Sequence, residues 1–343
     1  MNIRDIQLLR AAGDIAPLAR DRERRDVPGT EADQVRRTEV ERVRVLGGQH
    51  RADEARRARG RAVALHALEA IQDDIDLSGK ERIVVKPNFV SITRALAATH
   101  VDAMRAVIAY LYAHGAREIT LAEGPSMGPV AMGLKNFGYG PLIREYGLRV
   151  VDLNRDETLP IEGVDAHLRP KTIRVARTVL ESDYRVSVGP PKTHDEVMVT
   201  LSLKNYAVGS VVGKRSIHEG HQAINLNLYR LARRTAPHLA VIDGFVGMEG
   251  DGPTRGTPVP WGIAVASTDP LAADCFTARL MGFEPHEVGY LHYGLVSGMG
   301  EGEPGQIQVV GNVRPDEVRR SFQPHRTIER QRTWPVAGFE RWL

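Results

Sequence analysis

The side chains best suited to chemistry lie in two short segments, Pro191-Lys192-Thr193-His194 and Leu203-Lys204-Asn205. The first follows the β-branched run 184–188, which predicts a buried strand that breaks at a Gly-Pro-Pro turn. A lysine and a histidine at the end of a strand can hold an anion, a metal or a reacting group. Adding a histidine from a later loop, we predict four catalytic residues: Lys192, His194, Lys204 and His218.

Lys86 directly follows the short apolar run 83–85 and precedes Pro87, so its ammonium group is held in place. Such a lysine can form a structural salt bridge or contact an anionic substrate, and the sequence leaves both open. Lysines close together repel one another unless an anion or an acidic side chain lies between them. Together with residues from other strand ends and glycine turns, this predicts the substrate-binding residues Lys86, Asn88, Glu123, Asn205, Gly250 and Gly252.

Histidines and carboxylates in the second half of the chain could hold a metal. The spacing of three between His218 and His221 places both on one face if the segment is helical, which suits a metal or paired hydrogen bonds. Asp243 and Glu249 could supply carboxylates to a hard cation such as Mg²⁺ or Mn²⁺. We predict a divalent metal on Asp243, Glu249 and His221. Solvated histidines and a plain turn at Asp243-Gly244 are the alternatives.

Several familiar motifs are missing from the sequence. It has no P-loop, no GxGxxG between a strand and a helix, no GxSxG elbow and no HExxH pair, so nucleotide binding has no motif support. The single cysteine, Cys275, excludes intrachain disulfides and a cysteine-ligated iron–sulfur cluster within one chain. We expect Cys275 to be a buried, unreactive thiol.

Composition places the chain among ordinary globular proteins. It has 343 residues, 42% of them hydrophobic and 26% charged, with a formal net charge of +3. A charge this small gives no reason to expect a nucleic-acid partner. The sequence lacks an apolar run long enough to span a membrane and an export signal, so we expect a cytoplasmic protein without a membrane partner.

Strands alternate with helices along most of the chain. This pattern predicts an α/β fold, a mainly parallel wound sheet flanked by helices. Ligands of such sheets bind outside the carboxyl ends of the strands. We therefore expect one cleft formed by five strand ends: Lys86-Pro87-Asn88, Glu123-Gly124-Pro125, residues 189–194, Asp243-Gly244 and Thr268-Asp269.

The chain is predicted to have three parts. Residues 1–38 are read as an Arg-rich arm, 39–312 as an α/β domain of one or two lobes, and 313–343 as a helix with an aromatic docking tail. Within the domain we predict a first strand at 39–46, a helix at 53–72, a hairpin around 164–175 and a helix capped by Asp269 and Pro270. The terminal arms could support a homo-oligomer.

At its site residues the chain resembles the DUF362 family, a domain without an assigned biochemical function. The resemblance covers about residues 40–312 and rests on these motifs: Val84-Val85-Lys86-Pro87-Asn88, Pro191-Lys192-Thr193-His194, Leu203-Lys204-Asn205, Val241-Ile242-Asp243-Gly244 and Met248-Glu249-Gly250-Asp251-Gly252-Pro253. Many members of that family carry a ferredoxin-like cysteine cluster, and the resemblance implies redox work for them. That role does not carry over to a chain with one cysteine.

Three functions stay open at this point. The first is an enzyme that binds a small carboxylate or phosphate through Lys86, Lys192 and Lys204, with His194 or His218 as acid or base and a divalent ion as an option. The second is a non-catalytic carrier of a metal or cofactor at the same residues. The third is a scaffold whose terminal arms make the functional contacts. The sequence identifies no specific cofactor.

Overall fold

A ten-stranded sheet and a separate two-stranded hairpin account for the strands of the described residues. The computed structural model describes residues 4–10 and 60–342. The strands are β1 (Arg4–Arg10), β2 (Ile83–Lys86), β3 (Ile119–Glu123), β4 (Arg149–Asp152), β5 (Thr158–Val164), β6 (Pro170–Ala176), β7 (Tyr184–Gly189), β8 (Lys192–His194), β9 (Met198–Thr200), β10 (Leu239–Glu249), β11 (Thr257–Ser267) and β12 (Ile307–Gly311).

Most neighbouring strands of the large sheet run parallel. Their order is β12-β1-β11-β10-β7-β2-β3-β4, and β8 pairs with both β10 and β9. The pairs from β10 to β4 are parallel, as is β12 with β1, whereas β11 is antiparallel to both of its neighbours. The predicted α/β fold with a mainly parallel sheet is therefore confirmed.

Helices cover both faces of the sheet. They are α1 (60–69), α2 (Val101–Ala113), α3 (Val130–Asn136), α4 (Gly140–Tyr146), α5 (Arg177–Leu180), α6 (Ser202–Ser210), α7 (His221–Thr235), α8 (Pro270–Leu280), α9 (Gly289–Val296), α10 (Pro315–Val318) and α11 (Ile328–Gln331). Among the described residues, no helix combines the length and the apolar character needed to cross a bilayer.

Alternation along each buried strand divides the core between the two faces. Val85 of β2 packs with Ile108 of α2, whereas Val84 faces the other side and packs with Tyr206 of α6. Ile242 of β10 belongs to a third cluster of buried apolar side chains, which includes residues of α7 and α8. Apolar side chains on both faces explain why these strands read as continuous hydrophobic runs.

The structure corrects several local expectations. Strand β10 does not end at Asp243-Gly244, as expected, but continues to Glu249, because its antiparallel ladder with β11 resumes beyond an irregularity after Gly244. Helix α2 is capped by the His100 ring, which accepts from the Asp102 backbone N–H, while the Thr99 hydroxyl donates to the Val188 carbonyl. The Asp269 cap of α8 is confirmed, whereas the hairpin predicted around 164–175 begins earlier, because Thr158–Val164 pairs with Pro170–Ala176.

The ends of the chain contribute to the same body. Most of the predicted arm 1–38 and the predicted strand 39–46 lie outside the described residues, as does the first part of the helix predicted at 53–72. The described stretch Arg4–Arg10 pairs with both β11 and β12, so it belongs to the sheet rather than to an arm. In the tail, Trp334 packs against His292 and Tyr293. The three-part division of the chain stays a prediction.

Candidate functional site

The site begins with a buried ion pair at the carboxyl ends of two neighbouring strands. Lys86 ends β2 and Glu123 ends β3, and the Lys86 Nζ lies 2.6 Å from Glu123 Oε2. The same ammonium also donates to the Asn205 side-chain oxygen at 2.8 Å and to the Pro87 carbonyl at 2.9 Å. Both interpretations of Lys86 had been open, and the structure shows that it forms the salt bridge.

Two asparagines connect this pair to a second buried lysine. Asn88 donates its side-chain N–H to the Asn205 oxygen at 2.8 Å and accepts from Lys192 Nζ. Lys192 also donates to the Ala97 carbonyl at 2.9 Å. Its hydrogen bonds to described residues therefore go to neutral oxygens, so its charge has no directly bonded carboxylate. Lys86, Asn88, Glu123, Lys192 and Asn205 thus form one network, as the sequence predicted.

A small cavity lies beside this network. Its volume is about 20 Å³, which is room for one water-sized group. We call it the lysine cavity; it is lined by Lys86, Asn88, Phe89, Val90, Glu123, Gly124, Ser126, Thr200, Lys204, Asn205, Val208, Gly209 and Lys214. Of these lining residues, three are lysines and one is a carboxylate. The Thr200 hydroxyl is also buried without a hydrogen-bond partner in the part of the chain that the structure describes.

The other two lining lysines differ in how they are held. Lys214 donates to the Val211 carbonyl at 2.9 Å and contacts the Asn154 side-chain oxygen. Lys204, on α6, is buried, and its ammonium makes no hydrogen bond or ion pair with any residue that the structure describes. Its charge is therefore the one most available to a ligand.

Burial weakens the charged form of every lysine in the group. It lowers the pKa of Lys192 to about 7, with the Lys204 charge adding to the effect. It lowers the pKa of Lys204 to about 8, although the Glu196 and Asp195 carboxylates oppose this shift. Burial also lowers the pKa of Lys86, against the opposing effect of the adjacent Glu123 carboxylate. A negative ligand would stabilise all of these ammonium groups.

Helix α6 brings Lys204 and Asn205 to the cavity, and a buried carboxylate fixes its start. Asp274 of α8 accepts from the Ser202 and Leu203 backbone N–H groups, each at 2.8 Å. These are N–H groups that the first turn of a helix leaves without partners. Near the other end of α6, a Cβ on Gly209 would lie 1.9 Å from Lys86 Cε. A glycine is therefore required at position 209 so that the Lys86 side chain can lie against this helix.

Histidines and acids form a separate group at the turn between β8 and β9. His194 is buried, and burial lowers its pKa well below the ordinary value, with Lys204 and His218 adding to the effect. The His218 ring contacts the Glu196 carboxylate, and the His221 ring lies 3.1 Å from the Glu196 carbonyl oxygen. The three predicted histidines therefore meet around Glu196. The Lys204 charge also lowers the pKa of both His194 and Glu196.

The C-terminal segment holds this turn in place. Gln331 is 1% exposed; its side chain donates to the His194 carbonyl at 2.8 Å and accepts from the Met198 backbone N–H. Met198 has a positive φ of 63°, a backbone conformation that residues other than glycine seldom adopt. Gln331 thereby satisfies backbone groups on both sides of the turn.

The predicted metal set on Asp243, Glu249 and His221 does not come together. Asp243 and Glu249 stand six positions apart on β10, about 20 Å along an extended strand. Glu249 accepts from the Gln323 backbone N–H, and His221 contacts Glu196 instead. The sequence predicted a strand end at Asp243-Gly244 followed by a glycine-rich turn, whereas the residues up to Glu249 form one strand.

The two predicted glycines also lie away from the lysine cavity. The Gly250 carbonyl accepts from the Thr193 hydroxyl at 2.9 Å. A Cβ on Gly252 would lie 2.1 Å from the Thr193 carbonyl oxygen. These glycines let their loop approach β8 closely. Gly252 faces the Thr193 backbone, and Gly250 faces Gln323 of the C-terminal segment.

The five strand ends do not all form one cleft. Those at Lys86, Glu123 and Lys192 join the network, whereas Asp243 lines a different cavity of about 440 Å³ together with His100, Asp102 and Pro190. Because β11 is antiparallel to β10, its end at Asp269 points towards the amino-terminal ends of β7 and β10. Sequence alone did not show that β11 reverses direction.

Sequence reasoning also missed four residues of these groups. Lys214 and Glu196 are charged residues in loops, and only their neighbours in space distinguish them from solvated side chains. Gly209 was noticed in a glycine-containing loop, but the structure places it in α6. Asp274 follows the predicted cap of α8 by one turn, and a carboxylate on a helix with a buried face was a signal that could have been used.

Comparison with known proteins adds the following relationships. The sequence model of a family described as "Domain of unknown function (DUF362)" matches residues 83–279. A thylakoid-associated protein of Synechocystis sp. is 24% identical over 213 residues, which are 60% of this chain and 64% of the relative. The chain thus spans less than two thirds of that relative's length.

Two solved structures are similar at a lower level. The lactate racemase apoprotein from Thermoanaerobacterium thermosaccharolyticum gives a TM-score of 0.44 at 12% identity, covering 65% of this chain and 55% of that chain. A Thermotoga maritima protein gives a TM-score of 0.42 at 10% identity, covering 61% and 56%. Neither similarity supports an argument about function.

Proposed function

We propose, given that this chain belongs to the DUF362 family of domains of unknown function, that its lysine cavity binds the carboxylate or phosphate group of a small substrate. We further propose that the protein is an enzyme acting on that substrate. Lys86, Asn88, Glu123 and Asn205 would form the wall of the binding site, and Lys204 and Lys214 would contact the anion. Catalytic roles for Lys192, His194, Lys204 and His218 remain part of the proposal.

The observation that carries the proposal is the imbalance of charge in a buried space. Three lysines line the cavity and the lining residues that the structure describes include one carboxylate, which Lys86 already engages. Isolated charges are costly to bury, and an opposite charge within a few ångströms reduces that cost. A ligand oxygen between Lys204 and Lys214 would supply the missing negative charge.

The size of the cavity limits what enters it. A volume of about 20 Å³ accepts one water-sized group, such as one oxygen of a carboxylate or phosphate. The remainder of the substrate would extend beyond the lining residues. The positions of Lys204 beside the cavity and of Glu196 and His194 within its electrostatic reach support a reacting group on that side.

Thermal unfolding with inorganic phosphate, acetate and malonate tests the binding site. A ligand at a hundredfold excess over its Kd should stabilise the protein by about 2.7 kcal/mol. The shift should be lost in Lys204→Met and in Lys214→Met. Lys135→Met is the matched control, because Lys135 is exposed on α3, and it should retain the full shift.

Equal shifts in all three variants, or no shift with any anion, would remove the anion site from the proposal. If anions bind through these lysines but a panel of phosphorylated and carboxylate metabolites is bound without conversion, the non-catalytic carrier replaces the enzyme.

A further inference from the structure

A second site with ligand chemistry lies at the turn that follows β8. His194, Asp195 and Glu196 each offer one metal-binding atom, and these atoms all lie within 4.8 Å of one another. The three residues differ in exposure: His194 is buried, Glu196 is partly buried and Asp195 is open to solvent. The group therefore has a fixed inner side and an open side through which an ion could enter.

The arrangement leaves an unfavourable contact at His194. Its Nδ1 lies 3.0 Å from the Glu196 backbone N–H, which donates to it, so this nitrogen presents its lone pair. The same Nδ1 lies 3.1 Å from a carboxylate oxygen of Asp195, which also presents lone pairs. Two acceptors this close repel each other, and a cation that displaced the Glu196 N–H from Nδ1 would bind both of them.

The Glu196 carboxylate is held in position by a further histidine. The His218 ring contacts Glu196 Oε2, and the His221 ring bonds the carbonyl of the same residue. Burial alone would raise the pKa of Glu196, but the His218 hydrogen bond and the charges of His218 and Lys204 lower it. Ligands of metal ions are commonly oriented by such surrounding hydrogen bonds.

We propose that His194, Asp195 and Glu196 form a site for one divalent transition-metal ion, with His218 positioning Glu196. One imidazole and two carboxylates suit an ion that accepts both nitrogen and oxygen ligands, such as Zn²⁺, Mn²⁺, Fe²⁺ or Co²⁺. The charges of Lys204 and Lys192 oppose a cation at His194, whereas the Asp195 and Glu196 carboxylates favour one. This site shares His194 and His218 with the proposed catalytic residues, but none of its three ligands lines the lysine cavity, so metal binding and anion binding can be measured separately.

Cobalt binding to the full-length, untagged protein tests the site. The protein is stripped with EDTA, dialysed and titrated with Co²⁺, and binding is followed by calorimetry and by the visible absorption of the bound ion. We expect one Co²⁺ per chain. Glu196→Gln and the double variant Asp195→Asn/Glu196→Gln should weaken binding at least about tenfold, and His218→Gln should weaken it by roughly 10-fold to 100-fold.

His286→Gln is the matched control. His286 lies 3.1 Å from Glu303 in an exposed histidine–glutamate pair elsewhere on the molecule, and its replacement should leave Co²⁺ binding unchanged. Circular dichroism of each variant reports whether it is folded. The proposal is overturned if the stripped protein binds no Co²⁺ or Zn²⁺ at millimolar concentration, or if folded Glu196→Gln binds as well as the parent. The anion-induced shift of the stripped protein, measured separately, reports on the lysine cavity alone.

Discussion

At the scale of single residues, the Lys86–Glu123 pair is a buried ion pair whose loss should reduce stability. Both side chains are almost fully buried, and the Lys86 Nζ is 2.6 Å from the carboxylate. A buried pair adds little stability relative to apolar residues, but removing one partner leaves the other charge buried and without compensation. The two strands that carry these residues are adjacent and in register, so neither side chain can turn to solvent.

Glu123→Gln should therefore destabilise the protein by about 3–5 kcal/mol. Glu329→Gln provides the same chemical change in the exposed pair with Arg332 and should cost less than about 1 kcal/mol. Urea unfolding of the two variants measures the difference. Similar costs for both would mean that Lys86 finds another counter-charge or loses its proton without penalty.

The lowered pKa of Lys214 predicts that anion binding depends on pH. Burial lowers its pKa to about 8; the Glu123 and Asp152 carboxylates oppose the shift, and the Lys86 charge adds to it. The ammonium form binds an anion and the neutral amine does not, so affinity should fall as the pH rises above about 8. Lys204 also has a pKa of about 8, so the two lysines together allow a fall of at most about 100-fold per pH unit.

Sulfate is a suitable probe for this measurement because its charge is constant over the range. Calorimetric titrations between pH 6 and 10 should show weaker binding at the alkaline end, by at most about 100-fold per pH unit. Lys214→Met should bind more weakly and with a shallower pH dependence. An unchanged pH profile in that variant would assign the titration to another group.

Individual residues were predictable where the chain itself restricts them. Lys86, Asn88 and Lys192 stand directly at strand ends or turns, and the network contains all three. Glu196 and Lys214 lie in loops with no local sequence pattern. Their roles depend on contacts with His218 and Asn154, which are 22 and 60 residues away along the chain. Local sequence cannot report such partners.

At the scale of elements, helix α6 is the part that assembles the site. It supplies Lys204 and Asn205, Asp274 caps its first turn, and Gly209 leaves space for the Lys86 side chain. The sequence predicted the strand before this helix but gave no helix at 202–210. Apolar and polar residues alternate through 200–204, a pattern typical of a strand, so the helix cannot be predicted from this segment alone.

Gly209→Ala tests the space that α6 leaves. The added Cβ would lie 1.9 Å from Lys86 Cε and 2.3 Å from its Nζ, so Lys86 would have to give up its present contacts. We expect a loss of about 1–3 kcal/mol from overpacking, and sulfate binding at the lysine cavity should disappear. Chemical unfolding and calorimetry measure the two effects.

Gly305→Ala is the control for that substitution. A Cβ at Gly305 meets no atom within 4 Å, so stability and sulfate affinity should both be retained. If Gly209→Ala behaved like this control, Lys86 would have a second conformation of similar energy.

At the scale of the whole molecule, one reversed strand changes which strand ends can share a site. The alternation of strands and helices was enough to predict the α/β class and a mainly parallel sheet. The antiparallel direction of β11 depends on its long ladder with β10, which begins beyond the glycine-rich turn at 250–256. Sequence periodicity gives the existence of a strand but not its direction.

This topology predicts that Asp269→Ala lowers stability without changing anion binding. Asp269 accepts from the Leu271 and Ala272 backbone N–H groups and caps α8, but it is not a lining residue of the lysine cavity. Loss of the cap should cost about 0.5–2 kcal/mol of stability. Sulfate affinity, measured below the melting temperature, should stay at the level of the parent protein. A loss of affinity would show that the two ends of the sheet are coupled.

The contact of Gln331 with the β8–β9 turn has a consequence for biosynthesis. Gln331 follows His194 by 137 residues, so the turn bearing the histidines leaves the ribosome long before the side chain that fastens it. A nascent chain can therefore assemble its sheet while this turn still lacks its anchor. Ligand binding at this turn should arise late, and a translation product that stops short of Gln331 should be folded in its centre while the turn lacks its final conformation.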